Sequence, residues 1–299
     1  MKQFILKVFA FIATTILMFF LFWMLICSTR EEVMRLPNNE QIVFFGNSHI
    51  ETSINDTIVK NSFNIGQGGA SPEQIYSKLK LIHRYNPQVD TIVLGFDNVL
   101  YNKKYTELLP TQLYSPYFYD TYDLSDIYQI ITNSNLNYIQ SYLTHPFNWF
   151  KLVDILPSFT REDNNITMTD KFGKYLYLER DKLEFAIKKL KQTNKQTNKQ
   201  TKEYDKLALY FLDKTIKYCN DNELTLIFMC PPQHKKCPLD SVYYKLVYQE
   251  KYSNIPFYDF RTLQLPDSCF GDLSHLNYKG AKVFSEYFEK EVLHKQNYK

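Results

Sequence analysis

The chain has 299 residues, 44% hydrophobic and 22% charged, with 35 Lys and Arg against 32 Asp and Glu for a formal charge of +3. That excess is too slight for a nucleic-acid surface, and no basic cluster is interleaved with aromatic residues, which excludes a nucleic-acid partner. Only 8 residues are Gly, well under the roughly 7% of average usage, so the places where Gly does occur are informative.

Lys2 and Lys7 flank the start of an uncharged apolar run from Val8 to Cys27, about the 20 residues that a membrane-spanning helix needs. Positive charge ahead of the run predicts a cytoplasmic N-terminus, with everything after Arg30 across the membrane. A cleaved signal peptide is the second reading, but the run is long for one and small residues are scarce before Ser28. Residues 1–30 are therefore expected to be an anchor and 31–40 a polar tether. About 270 residues remain, enough for one α/β domain with an insertion.

Ile42-Val43-Phe44-Phe45 reads as a buried strand of a parallel sheet, and Gly46 turns the chain so that Ser48 stands just past the strand's carboxyl end. Ligands of open α/β sheets bind in the crevice there, which makes Ser48 a candidate nucleophile. Ser is also a preferred helix N-cap, so position alone does not choose between the two roles. A second strand is expected at Ser62 to Ile65. Ser71-Pro72-Glu73 then opens a helix with apolar residues at Ile75, Leu79 and Ile82, closed by Asn86-Pro87. Asp90 to Leu94 is a third strand, so strand, helix and strand make a right-handed crossover.

Beyond Asn98 the pattern changes. From Leu100 to Trp149 the chain is rich in Tyr, Phe, Leu and Asn, punctuated by Pro110, Pro116 and Pro146, with one helix expected around Leu124 to Leu143. Residues 99–204 read as an inserted, mostly helical region, a lid or a partner surface. A helical segment, Leu176 to Leu190, runs into the repeats of the low-complexity stretch 191–202, which holds no apolar residue and cannot bury a core. The α/β pattern resumes with a helix at Tyr204 to Cys219, a strand at Leu224 to Met229, a helix near Ser241 to Tyr252, a strand at Ile255 to Phe260 and a closing helix at Tyr278 to Leu293. Cys219, Cys230, Cys237 and Cys269 permit three disulfide pairings or buried thiols. Neither their spacing nor that of the histidines suits a metal, so no metal and no cofactor is expected.

Near the C-terminus, Asp272 precedes His275 by three residues. On one helical turn its carboxylate would reach the ring nitrogen facing away from substrate and fix the His tautomer for general-base work. Gly46-Asn47-Ser48 and Asp272-Leu273-Ser274-His275 together resemble the first and last motifs of the SGNH/GDSL hydrolase superfamily, in its membrane-anchored bacterial envelope branch. Asn64-Ile65-Gly66-Gln67-Gly68-Gly69 is similar to the second motif, with Gly69 supplying an N–H to the oxyanion. Gly95-Phe96-Asp97-Asn98 stands for the third, but with Asp97 in the family's Asn place and Asn98 one later. A carboxylate cannot donate to an oxyanion whereas an amide can, so Asn98 is the expected donor and Asp97→Asn is expected to be mild or activating.

The resemblance spans residues 41–98 and 205–295 and implies a three-layer α/β/α flavodoxin-like sandwich around a mainly parallel five-stranded sheet. It implies Ser48, His275 and Asp272 as catalytic residues; Ser48, Gly69 and Asn98 as the oxyanion hole; and His49, Asp97 and Gly68 as substrate-facing. The implied activity is an extracytoplasmic serine esterase or O-acyltransferase acting on acyl, chiefly acetyl, esters of cell-envelope polysaccharide or a small ester. The alternative is an inactive carbohydrate-binding or scaffolding protein of an envelope assembly. Seven of the Gly residues (46, 66, 68, 69, 95, 271 and 280) fall within the four motif stretches, where positive φ or close approach of main chain is expected.

Overall fold

Short runs of β-branched and aromatic residues form five strands, β1 (Ile42–Phe45), β2 (Ser62–Asn64), β3 (Thr91–Gly95), β4 (Thr225–Cys230) and β5 (Phe257–Asp259). They belong to a computed structural model that describes residues 2–97, 101, 118, 121–134, 139, 174–179, 181–193, 205–237 and 242–293. Eight α-helices are described: α1 (Lys2–Met34), α2 (Ser48–Ser53), α3 (Pro72–Tyr85), α4 (Leu124–Asn133), α5 (Leu183–Thr193), α6 (Lys206–Asp221), α7 (Val242–Val247) and α8 (Tyr278–Phe288). Helices α7 and α8 each run on into a π turn, Tyr248–Tyr252 and Glu289–Leu293.

The strand order is β2-β1-β3-β4-β5 and every pair is parallel, so the sheet is wholly rather than mainly parallel. Successive side chains of a strand point to opposite faces. Val43, Phe45, Ile92, Leu94, Leu226 and Phe228 therefore join the helices α3 and α6 in one hydrophobic cluster. Phe44, Val93, Ile227 and Met229 join α2, α5 and α8 in the other. This is the three-layer α/β/α sandwich expected. Its strand order reverses at β1, with β2 on one side and β3 on the other, and the crevice beyond the carboxyl ends of β1 and β3 is the switch point where such folds place ligands.

The described parts of the insertion belong to the same core. Tyr101, Phe118, Tyr122 and Ile130 are buried in the first cluster and Leu183 in the second. Helix α4 is capped at Ser134, and the remainder of the helix expected to Leu143 lies, except for residue 139, outside the described residues. The helix expected from Leu176 begins instead at Leu183, and residues 174–179 form neither helix nor strand. Their backbone groups bond to other elements: Leu176 N–H donates to Glu51 O at 2.8 Å, and Leu178 O accepts Tyr278 N–H at 3.0 Å.

The tether expected at 31–40 also differs, because α1 continues unbroken to Met34. Met34 and Leu36 are buried in the core, and Asn86 clamps them, donating to Met34 O at 2.8 Å and accepting Leu36 N–H at 2.8 Å. At its other end, Lys2–Leu21 has a mean hydropathy of 2.4 with none of it buried; among the described residues no other helix is long and apolar enough to cross a membrane. The four cysteines beyond it are free thiols, with Cys219, Cys230 and Cys269 buried.

Candidate active site

The turn after β1 is tight because Gly46 carries no side chain. A Cβ there would lie 2.3 Å from Ile50 Cγ1, so its absence lets α2 settle onto the sheet end. Asn47 caps α2, its Oδ1 accepting His49 N–H at 2.9 Å. Ser48 is thus the first helical residue rather than the cap, and its hydroxyl is left for another partner. That partner is His275, whose Nε2 lies 2.9 Å from Ser48 Oγ.

Asp272 reaches His275 from a loop, not from the helical turn expected. An antiparallel bridge between Phe270 and Leu276 pinches the loop shut, and Gly271 N–H donates to His275 O at 2.9 Å. Inside it, Asp272 Oδ1 accepts the N–H groups of Ser274 at 2.9 Å and His275 at 3.0 Å. So held, the carboxylate meets His275 Nδ1 at 2.9 and 3.1 Å. A proton on Nδ1 facing a carboxylate leaves Nε2 as the acceptor for the Ser48 hydroxyl.

Two segments brace this loop from outside. His234 N–H donates to Leu273 O at 3.0 Å, and Lys182 N–H to Gly271 O at 2.9 Å. With the Leu176 and Leu178 bonds, residues 174–179 and 181–182 form a strap across both α2 and the Asp272–His275 loop. Nothing in the composition of the insertion marks this strap, because its grip is made by main-chain groups.

On the other side of Ser48 runs the glycine loop. Gly69 has φ 75°, a left-handed conformation that favours Gly. Among the described residues, neither the Ser48 nor the Gly69 N–H has an acceptor. Gly68 flanks the nucleophile, since a Cβ on it would lie 3.8 Å from Ser48 Cβ, but its N–H already donates to Glu51 Oε2 at 2.9 Å. Burial pushes the Glu51 carboxyl up, opposed by the Gly68 bond and by Lys78. Lys78, fully buried on α3, donates to Gln67 Oε1; burial pulls its pKa down to about 7 against the attraction of Glu51.

Asp97 and His49, expected to be substrate-facing, are both buried and meet each other. Asp97 is 3% exposed and His49 6%, and His49 Nδ1 lies 2.7 Å from Asp97 Oδ2. The Asn47 amide reaches the same carboxylate at 3.4 and 3.5 Å. The positions flanking a turn gave no sign of this, since it depends on β1 lying beside β3. Asn98 lies outside the described residues.

A protein-family model that carries no functional description matches residues 160–297. No curated protein matches the chain. Among solved structures, a GDSL-like lipase of Bacteroides thetaiotaomicron is similar at 10% identity and a TM-score of 0.38, over 87% of this chain and 91% of its own. A provisionally assigned acylhydrolase of Bacteroides fragilis is similar at 12% identity and a TM-score of 0.39, over 90% and 94%. At such TM-scores neither likeness carries weight beside the side-chain geometry.

Proposed function

We propose that this chain is a serine hydrolase or acyltransferase of the SGNH type that cleaves oxygen esters through an acyl-serine intermediate. The observation that carries the reading is the continuous line from Asp272 through both ring nitrogens of His275 to Ser48 Oγ, with contacts of 2.9 Å at each end, at the β1/β3 switch point. Ser48 Oγ attacks the ester carbonyl carbon while His275 Nε2 takes its proton, and Asp272 holds the resulting imidazolium. The N–H groups of Ser48 and Gly69, with the Asn98 amide that the family resemblance adds, receive the oxyanion. Collapse expels the alcohol, which takes the proton from His275. Water or a sugar hydroxyl, deprotonated by the same Nε2, then attacks the acyl-serine and frees Ser48.

The apolar segment Lys2–Leu21 supports a membrane anchor, and Lys2 and Lys7 support a domain outside the cytoplasm. An acylated, chiefly acetylated, envelope polysaccharide is the substrate class that this placement and the resemblance favour. A fluorophosphonate serine probe tests the chemistry. It should label the wild type, fail on Ser48→Ala and label His275→Ala weakly, because without its base the hydroxyl is a poor nucleophile. Labelling that survives Ser48→Ala would mean that Ser48 is not the nucleophile.

A further inference from the structure

Beside the Asp272–His275 pair lies a second imidazole and carboxylate that the mechanism above does not use. The His49 ring packs against that of His275, with centroids 5.0 Å apart and planes at 66°. Its Nδ1 meets Asp97 at 2.7 Å, and both side chains are almost wholly buried. Asn47 and His49 are the two neighbours of Ser48 in the chain, and both reach the one carboxylate that projects from the end of β3.

We propose that Asp97 and His49 are positioning residues: their buried ion pair ties both sides of the Ser48 turn to β3 and holds the His275 ring edge-on against Nε2's approach to Ser48. The inference rests on Ser48 being the nucleophile. The physical reason for a carboxylate at position 97, where an amide would be expected, follows directly. A carboxylate accepts from two donors at once, Asn47 Nδ2 and His49 Nδ1, and the charge it carries is compensated by the imidazolium. An Asn in its place could still accept both bonds through one oxygen, since both donors reach Asp97 Oδ2, but it would bring no charge to set against that of the imidazole.

The surroundings of the pair agree with this. Burial by itself lowers the His49 pKa, but the Asp97 charge and hydrogen bond outweigh it, with a further push from Asp272, and the ring is held above the ordinary histidine value. The groups facing the pair are Asp272 and His275 from the loop, and, on the far side of Asp97, Tyr101 and Cys230. Burial pushes the latter two well up, and the Asp97 charge adds to it, so both stay neutral. Asp272 is the further charge acting on His49, and Arg261 and Asp259 act on Cys230 beside Asp97. On this proposal Asp97→Asn is damaging, where the family resemblance implied that it would be mild or activating.

The test uses the full-length protein with a chromogenic acetyl ester and an imidazole NMR titration. Asp97→Asn should lower kcat by about 10²-fold, the cost of a small misplacement of reacting groups, with KM unchanged. His49→Asn, which keeps a donor for Asp97 but loses the ring, should lie between wild type and Asp97→Asn. In wild type His49 should titrate above the ordinary histidine range, and in Asp97→Asn below it, because burial, the largest influence, is then opposed only by the weaker pull of Asp272. Wild-type kcat in Asp97→Asn, or a His49 titration that does not move, would overturn the proposal. A wild type that turns over no ester would refute the hydrolase reading, while the titration, which needs no substrate, still decides whether Asp97 and His49 are paired. Should Asp97→Asn fail to fold, His49→Asn and the wild-type titration decide it alone.

Discussion

Two His–Asp pairs lie side by side at the carboxyl edge of the sheet, and they are built in opposite ways. Asp272 and His275 share one pinched loop, three residues apart, with 17% and 20% of their side chains exposed. Asp97 and His49 come from the ends of different strands, 48 residues apart, and are almost fully buried. The first pair leaves a ring nitrogen free to work on Ser48; the second uses its contacts inward. A histidine paired with a carboxylate is therefore not by that fact a base. What separates the two is whether the other ring nitrogen faces the nucleophile, and only His275 Nε2 does so here.

The sharpest contrast comes from the same isosteric change made in each pair. Asp272→Asn should lower kcat on the acetyl ester by about 10⁴, since the wrong His275 tautomer would face Ser48. The drop should exceed that of Asp97→Asn, and equal losses would show that the two carboxylates do the same work. Next in size is the loop residue beside Asp97. Asn98→Ala should lower kcat by about 10²–10³ with little change in KM, the mark of a donor engaged mainly in the transition state. A rise in KM with unchanged kcat would place Asn98 in substrate binding instead.

The smallest effect concerns stability and a third buried charge, Lys78. Its pKa is pulled from the unfolded value down to about 7, so the folded state disfavours the ammonium form. Between about pH 7 and the unfolded lysine value near 10.4, the unfolded chain binds more protons, and stability attributable to Lys78 rises with pH. Below about pH 7 the burial penalty is present in full. Lys78→Met should therefore raise Tm more at pH 6 than at pH 9 relative to wild type, read by thermal unfolding at both. A Tm difference that grows toward alkaline pH would reverse the sign and mean that Lys78 is held charged.

Much of the architecture was legible from local pattern. The apolar strands β1, β3 and β4 fall within a residue or two of their expected bounds, and so does α3, whose start is marked by Ser71-Pro72 and whose end by Asn86-Pro87. The clustering of Gly had a legible cause too, but close approach accounts for more of it than positive φ. A Cβ would clash at Gly46, Gly66, Gly95 and Gly280, while among the described glycines only Gly69 has positive φ. Where the reading from sequence failed, a competing contact decided. The helix expected from Leu176 does not form over 176–179, whose main-chain groups go to α2 and to the start of α8. The Asp272–His275 spacing suits a helix, yet the bridge of Phe270 to Leu276 makes it a loop with the same contact.

The sequence by itself determined what short-range chemistry determines: the order of strands and helices, the apolar N-terminal run, and the nearness of Asp272 to His275, whose separation of three residues brings them together in either a turn or a tight loop. Only the tertiary structure decided that Asn47 rather than Ser48 caps α2, that His49 turns inward onto Asp97, and that the strap at 174–179 and 181–182 crosses both halves of the site. The first is a contact between residues two apart, and the other two join segments far apart in the chain. The His49–Asp97 contact exists because β1 pairs with β3 in parallel, with Phe45 beside Leu94, which brings the turns after the two strands together. No local periodicity encodes which strand lies next to which.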